Sequence, residues 1–279
     1  MATSGENLPS SPHPKLSKKQ YLQCILTFLG TITIPAVYVM TVGVYETLPL
    51  MFDLILVVAI PVFAWASFRQ LRNGYTPPEP HRKHYRARIL GAWALGLLVF
   101  AVYATRNTQL KSVGFDFRSI NVFVGWCLLL AIGSAPIFTL FRWMGARGWL
   151  PPSPRFTLFP ENRSQRLVCL FLVAPTMGFC EELVYRSYVL SEISHWFKGC
   201  PTLISLFLSC ILFALTHMAG GPSAFLQSFL AGALLAWPVV YSGTLYPSIV
   251  IHTLYDAFVL AWLGPKLARQ ATGSSPSLI

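Results

Sequence analysis

Residues 167–190 read LVCLFLVAPTMGFCEELVYRSYVL, an apolar run long enough to cross a bilayer that still holds Glu181, Glu182 and Arg186. Roughly 20 mostly apolar residues span about 30 Å of hydrocarbon, so the run reads as a transmembrane helix. Ionisable side chains at that depth cost about 2.5–3.5 kcal/mol each on insertion scales, which favours a functional role over simple glue between helices. Residues four apart share a helix face, so Glu182 pairs with Arg186, while Glu181 points about 100° away and lies one turn from Tyr185. The paired carboxylate is a structural strut and the unpaired one is free for chemistry, because two carboxylates in different surroundings take different roles.

The rest of the chain is of the same kind. Of its 279 residues 54% are hydrophobic and 11% charged, and the mean hydropathy is +0.55, more apolar than a soluble core requires. Apolar runs cover about 21–44, 47–68, 88–105, 120–141, 167–190, 202–219, 224–241 and 245–263. The expected fold is therefore all-α, a polytopic integral membrane protein of about eight transmembrane helices. Asp53, near the start of the second run, reads as a side chain snorkelling to the interface.

A net charge of +11 raises the question of nucleic acid, and the placement of the cations answers it. With the N-terminus in the cytoplasm, sixteen Lys and Arg fall inside: Lys15, Lys18, Lys19, Arg69, Arg72, Arg82, Lys83, Arg86, Arg88, Arg142, Arg147, Arg155, Arg163, Arg166, Lys266 and Arg269. Only Arg106, Lys111, Arg118 and Lys198 fall outside. This is the positive-inside asymmetry, so both termini are assigned to the cytoplasm, the basicity reflects orientation and anionic headgroups, and no nucleic-acid partner is expected.

Residues 1–20 read as a flexible cytoplasmic tail, too polar for a cleaved signal. Residues 21–160 form the N-terminal transmembrane helices with basic cytoplasmic loops, among them the Pro-rich link YTPPEPHRKHYRAR at 75–88, and 266–279 a second cytoplasmic tail. Between them, 161–265 is the membrane domain that carries the chemistry. The six cysteines show no C-x-x-C and sit mostly within spans, so neither a disulfide framework nor a thiol-bound metal is expected.

Two further polar positions interrupt the C-terminal spans. His217 closes the run FALTHMAGGP just before a Gly-Gly-Pro break, and IVIHTLYDAF places His252 and Asp256 four apart on one face of an apolar helix. A glutamate, two histidines and an aspartate on neighbouring helices are the inventory of a water-filled site with base, acid and oxyanion groups.

Taken in order, Glu181-Glu182-Leu-Val-Tyr-Arg186, Phe213-Ala-Leu-Thr-His217 and His252-Thr-Leu-Tyr-Asp256 resemble the E-E-x-x-x-R, F-x-x-x-H and H-x-x-x-N/D motifs of the CPBP family of intramembrane proteases. That family includes the type II CAAX prenyl endopeptidases. The resemblance takes in the intervening AFLQSFLAGALLAWPVVYSGTLYPSIVIH and covers about residues 165–260. It implies a catalytic site within the C-terminal four-helix half and an intramembrane endopeptidase acting on a membrane-associated protein or peptide, prenylated or not. It implies that Glu181, helped by His217, activates a water, that His252 and Asp256 stabilise the oxyanion, and that Glu182 and Arg186 are the structural pair. No cofactor and no metal is expected. Asp256 stands where a familiar version of the motif has Asn, and two roles stay open for it: donor in its protonated form, or acceptor that holds His252. The lipid bilayer is the other expected partner, with the plasma membrane as location if the source is prokaryotic. Three alternatives remain: a metal-dependent protease using the same residues, a transporter, and a non-catalytic membrane scaffold.

Overall fold

The computed structural model of the protein describes residues 44–73, 81–149, 159–160, 162–197 and 202–265. The chain divides into two units at Met51/Phe52; the described residues of the first are the beginning of one helix, and the second holds all the rest. Among the described residues every regular element is helical, as hydrocarbon demands, because a helix satisfies its backbone groups within its own segment.

Among the described residues, six helices are long and apolar enough to cross a membrane: α1 Thr47–Arg69, α2 Lys83–Thr105, α3 Ile120–Ala146, α4 Arg163–Ser194, α6 Pro222–Ser242 and α7 Tyr246–Leu263. A shorter apolar helix, α5 Thr202–Thr216, precedes α6. At 1.5 Å per residue the 23 residues of α2 reach about 34 Å and the 32 of α4 about 48 Å, so α4 outreaches the hydrocarbon. The protein is a multi-pass membrane protein. Its seven described apolar helices correspond to seven of the eight expected runs; the run 21–44, apart from Val44, and the tails 1–20 and 266–279 lie outside the described residues.

Two boundaries differ from the sequence reading. The helix that contains α2 begins at His81, inside the stretch expected to be loop, because no breaker follows Pro80 and Lys and Arg are good helix formers. The run 202–219 stops at Thr216 in a short 3-10 turn, Met218–Gly220, after which Gly221 takes φ 91° and Pro222 opens α6.

Helix α4 is the most enclosed and α3 the least. The middle of α4 packs between α2 and α7, while α5 lies against its later turns. The α4–α7 approach is close enough to exclude a methyl group: a Cβ on Gly178 would fall 2.8 Å from the Thr253 backbone nitrogen. Small residues at such crossings let membrane helices meet backbone to backbone. Gly178 is thus what brings the turn holding Glu181 and Glu182 against the turn holding His252.

Four of the helices' segments are wound in wide π turns, at Ile55–Ala59, Cys169–Val173, Leu183–Val189 and Val259–Leu263. Three of these end two residues before a proline, at Pro61, Pro175 and Pro265. A proline has no N–H for the carbonyl four residues back and collides with it, and a wide turn relieves both faults. Leu183–Val189 has no proline behind it. It carries Arg186, and wide turns without a proline occur often at functional sites.

The later turns of α4 hold a second buried polar cluster. Tyr188 donates from its hydroxyl to Asp53 at 2.7 Å, Ser187 donates to the Val113 carbonyl at 2.6 Å and lies 2.8 Å from the Tyr103 hydroxyl, and Arg106 pairs with Glu192. Asp53 is therefore not a snorkelling residue. It is 7% exposed, because α1 offers it a phenol on α4 closer than the interface, and an enclosed hydrogen bond satisfies a carboxylate that would otherwise need water.

Candidate active site

The expected pair on α4 is present and shares its carboxylate with α7. Glu182 Oε1 lies 3.0 Å from Arg186 Nη1 and 2.7 Å from His252 Nδ1. Glu182 is fully buried and Arg186 nearly so, so this strut is sealed from both water and substrate. The bond to Glu182 fixes the proton on Nδ1 of His252 and with it the ring's orientation, the job a carboxylate does behind many functional imidazoles.

The other ring nitrogen faces two accessible carboxylates. His252 Nε2 is 3.6 Å from Glu181 Oε2 and 3.8 Å from Asp256 Oδ2, and the Glu181 and Asp256 side chains are 19% and 22% exposed. Both distances exceed a direct hydrogen bond and suit a bridging oxygen. Three carboxylates thus converge on one imidazole, with the Arg186 guanidinium behind the buried one.

His217 reaches the group through Phe213. Its Nδ1 lies 3.1 Å from the Phe213 carbonyl and 3.0 Å from Thr216 Oγ1, while Thr216 gives its own proton to that carbonyl at 2.6 Å. Both neighbours act as acceptors, so Nδ1 carries the hydrogen and Nε2 is left as the ring's acceptor atom. The His217 ring centroid is 4.7 Å from that of Phe213.

The sequence reading missed three supporting contacts. Tyr185, one turn from Glu181, packs its ring 5.3 Å from Phe213; its carbonyl, inside the wide turn, accepts a hydrogen bond from Ser209 on α5 at 2.6 Å. Gln227 on α6 donates to the Tyr255 hydroxyl at 2.6 Å, tying α6 to α7 one residue before Asp256. A lone Gln in an apolar helix was the available signal for that bond. Among the described residues, no three His, Cys, Asp or Glu are grouped to hold a metal ion.

Residues 163–258, 96 of the chain's 279, match the family described as type II CAAX prenyl endopeptidase Rce1-like. All of the polar residues above except those of the second cluster on α1, on α2 and in the α2–α3 loop fall inside that segment. The family so described is one of endopeptidases. No curated protein and no solved structure matches the chain.

Proposed function

We propose that the chain is an intramembrane endopeptidase that hydrolyses a peptide bond in a membrane-associated protein or peptide through a water activated by Glu181. The single observation that carries this reading is the division of labour around His252. A sealed carboxylate, Glu182, holds Nδ1 at 2.7 Å, and two accessible ones, Glu181 and Asp256, stand 3.6 and 3.8 Å from Nε2. A water between them gives its proton to Glu181 and attacks the substrate carbonyl. The oxygen of that carbonyl takes up negative charge, and His252, protonated at both nitrogens, donates to it from Nε2 together with Asp256 in its acid form. Glu181 then passes its proton to the departing amine, which closes the cycle without a covalent intermediate. His217, with Nε2 as acceptor, receives a hydrogen bond from the water or from the protonated Glu181.

The positive-inside pattern supports cytoplasmic termini, and the family matched supports a CAAX-type or other membrane-tethered substrate, prenylated or not. The test is cleavage of prenylated and unprenylated membrane peptides by the purified protein in nanodiscs, with new termini read by mass spectrometry. Glu181→Gln should leave the peptides intact. Cleavage by that variant at the wild-type rate would end the proposal. Activity that a strong chelator abolishes and stoichiometric zinc restores would establish the metal-dependent alternative instead.

A further inference from the structure

We infer that Phe213 is a positioning residue of this site, its ring face carrying the Arg186 guanidinium so that the lone pair of Glu182 stays with His252. The guanidinium carbon lies 4.1 Å from the Phe213 centroid, and the two residues are 2% and 3% exposed. Arg186 Nη1 is 3.0 Å from Glu182 Oε1, yet neither Nη1 nor Nη2 has a hydrogen-bond partner among the described residues. The contact is charge to charge, with the aromatic face standing where an acceptor would otherwise be needed. The same oxygen is hydrogen-bonded to His252 Nδ1 at 2.7 Å.

The rest of the Phe213 ring touches the remaining parts of the site, with Tyr185 at 5.3 Å, His217 at 4.7 Å and His252 edge-on at 6.0 Å. One aromatic ring therefore lies against Arg186 and near both imidazoles. Helix α6 closes the open side. A Cβ on Gly232 would lie 3.0 Å from Arg186 Nη2 and 3.0 Å from Phe213 Cδ1, so a methyl there presses on both members of the stack and one of them must give. With an aliphatic side chain in place of the ring, Arg186 turns its N–H groups onto the carboxylate, whose Oε2 is also without a partner, draws Glu182 round and loosens its hold on the imidazole that faces the substrate. The consequence for turnover rests on the hydrolytic reading; the geometry does not.

The test compares Phe213→Leu, which lacks the face, with Phe213→Tyr, which keeps it, in protein labelled with 15N-histidine. The His252 resonance is assigned with His252→Gln. Phe213→Leu should move the His252 Nδ1 resonance and lower kcat about tenfold or more with KM within about twofold, whereas Phe213→Tyr should keep the resonance and most of kcat. An unmoved resonance in Phe213→Leu, or equal shifts in the Leu and Tyr variants, overturns the inference. Should Phe213→Leu not fold, Gly232→Ala decides in its place, since its methyl presses on the stack: a moved resonance supports the inference and an unmoved one overturns it. Because the resonance needs no turnover, a Glu181→Gln protein that still cleaves defeats the reading of Glu181 as the base and leaves this inference standing.

Discussion

Helix α4 holds two buried polar clusters within two turns of each other, and they close their hydrogen bonds on different terms. In the later one, Tyr188, Ser187 and Tyr103 each find a partner at 2.6 to 2.8 Å, and Arg106 meets Glu192, with Glu192 Oε2 left without a partner among the described residues. In the earlier one, Glu182 Oε2 and both Nη atoms of Arg186 have no hydrogen-bond partner among the described residues, and Glu181 and Asp256 stand more than 3.5 Å from the nitrogen they face. Buried polar groups are ordinarily satisfied, so a cluster that nearly closes on itself reads as structure and one left open towards accessible carboxylates reads as chemistry. The difference teaches that polarity within a span, or one unmet bond, is no guide to function by itself; accessible carboxylates held off a fixed imidazole are.

The comparison breaks most sharply at Glu181. Glu181→Gln should reduce peptide cleavage about 100-fold to 10,000-fold, the usual worth of a positioned base, with thermal stability unchanged. A variant that loses its melting transition along with its activity would mean Glu181 belongs to the structural class. Glu182→Ala should instead lower stability by about 3–5 kcal/mol, because it strands the Arg186 guanidinium in a sealed site, and should also inactivate by freeing His252. Equal stability of the two variants would erase the distinction between the accessible and the sealed carboxylate.

Gly178→Ala comes next. Its methyl meets the Thr253 backbone, so α7 must retreat and the 2.7 Å bond from His252 to Glu182 must lengthen. Cleavage should fall at least about tenfold while stability drops by about 1–3 kcal/mol, the usual cost of overpacking. In the later cluster, Tyr188→Phe should cost about 1.5–3 kcal/mol in stability, because it takes the phenol donor from the buried Asp53, and leave cleavage within about twofold. Loss of activity there as large as in Gly178→Ala would show that the two clusters act as one network.

Much of this division was legible in the sequence, and the reason is the helix period. Glu182 with Arg186, and His252 with Asp256, follow from spacing four, and the apolar background makes each stand out. What spacing could not give is which partner comes from another helix. Asp53 was misread because the phenol it meets lies more than a hundred residues away at Tyr188. The link from Glu182 to His252 was missed because it depends on how closely Gly178 lets α7 approach. The wide turn at Leu183–Val189 was invisible because no proline marks it, unlike the turns before Pro61, Pro175 and Pro265.

The smallest loss of cleavage expected within the open cluster is for Asp256→Asn, and it decides between the two roles the sequence left open. If Asp256 served to hold His252, it would bond a ring nitrogen directly. The structure instead gives that task to Glu182 at 2.7 Å, and Asp256 Oδ2 stands 3.8 Å from Nε2. Asp256 is thus free to act on the substrate oxygen, and as an ionised carboxylate it would be acceptor-only and repel the developing charge. A protonated acid and a neutral amide both donate a hydrogen there, so Asp256→Asn should keep cleavage within about tenfold of wild type, under about 1.4 kcal/mol of transition-state stabilisation. Asp256→Leu, which donates nothing, should lose more than that in the same assay. Equal and severe losses in the Asn and Leu variants would return Asp256 to the acceptor role and make the open cluster as dependent on carboxylate acceptors as the closed one is.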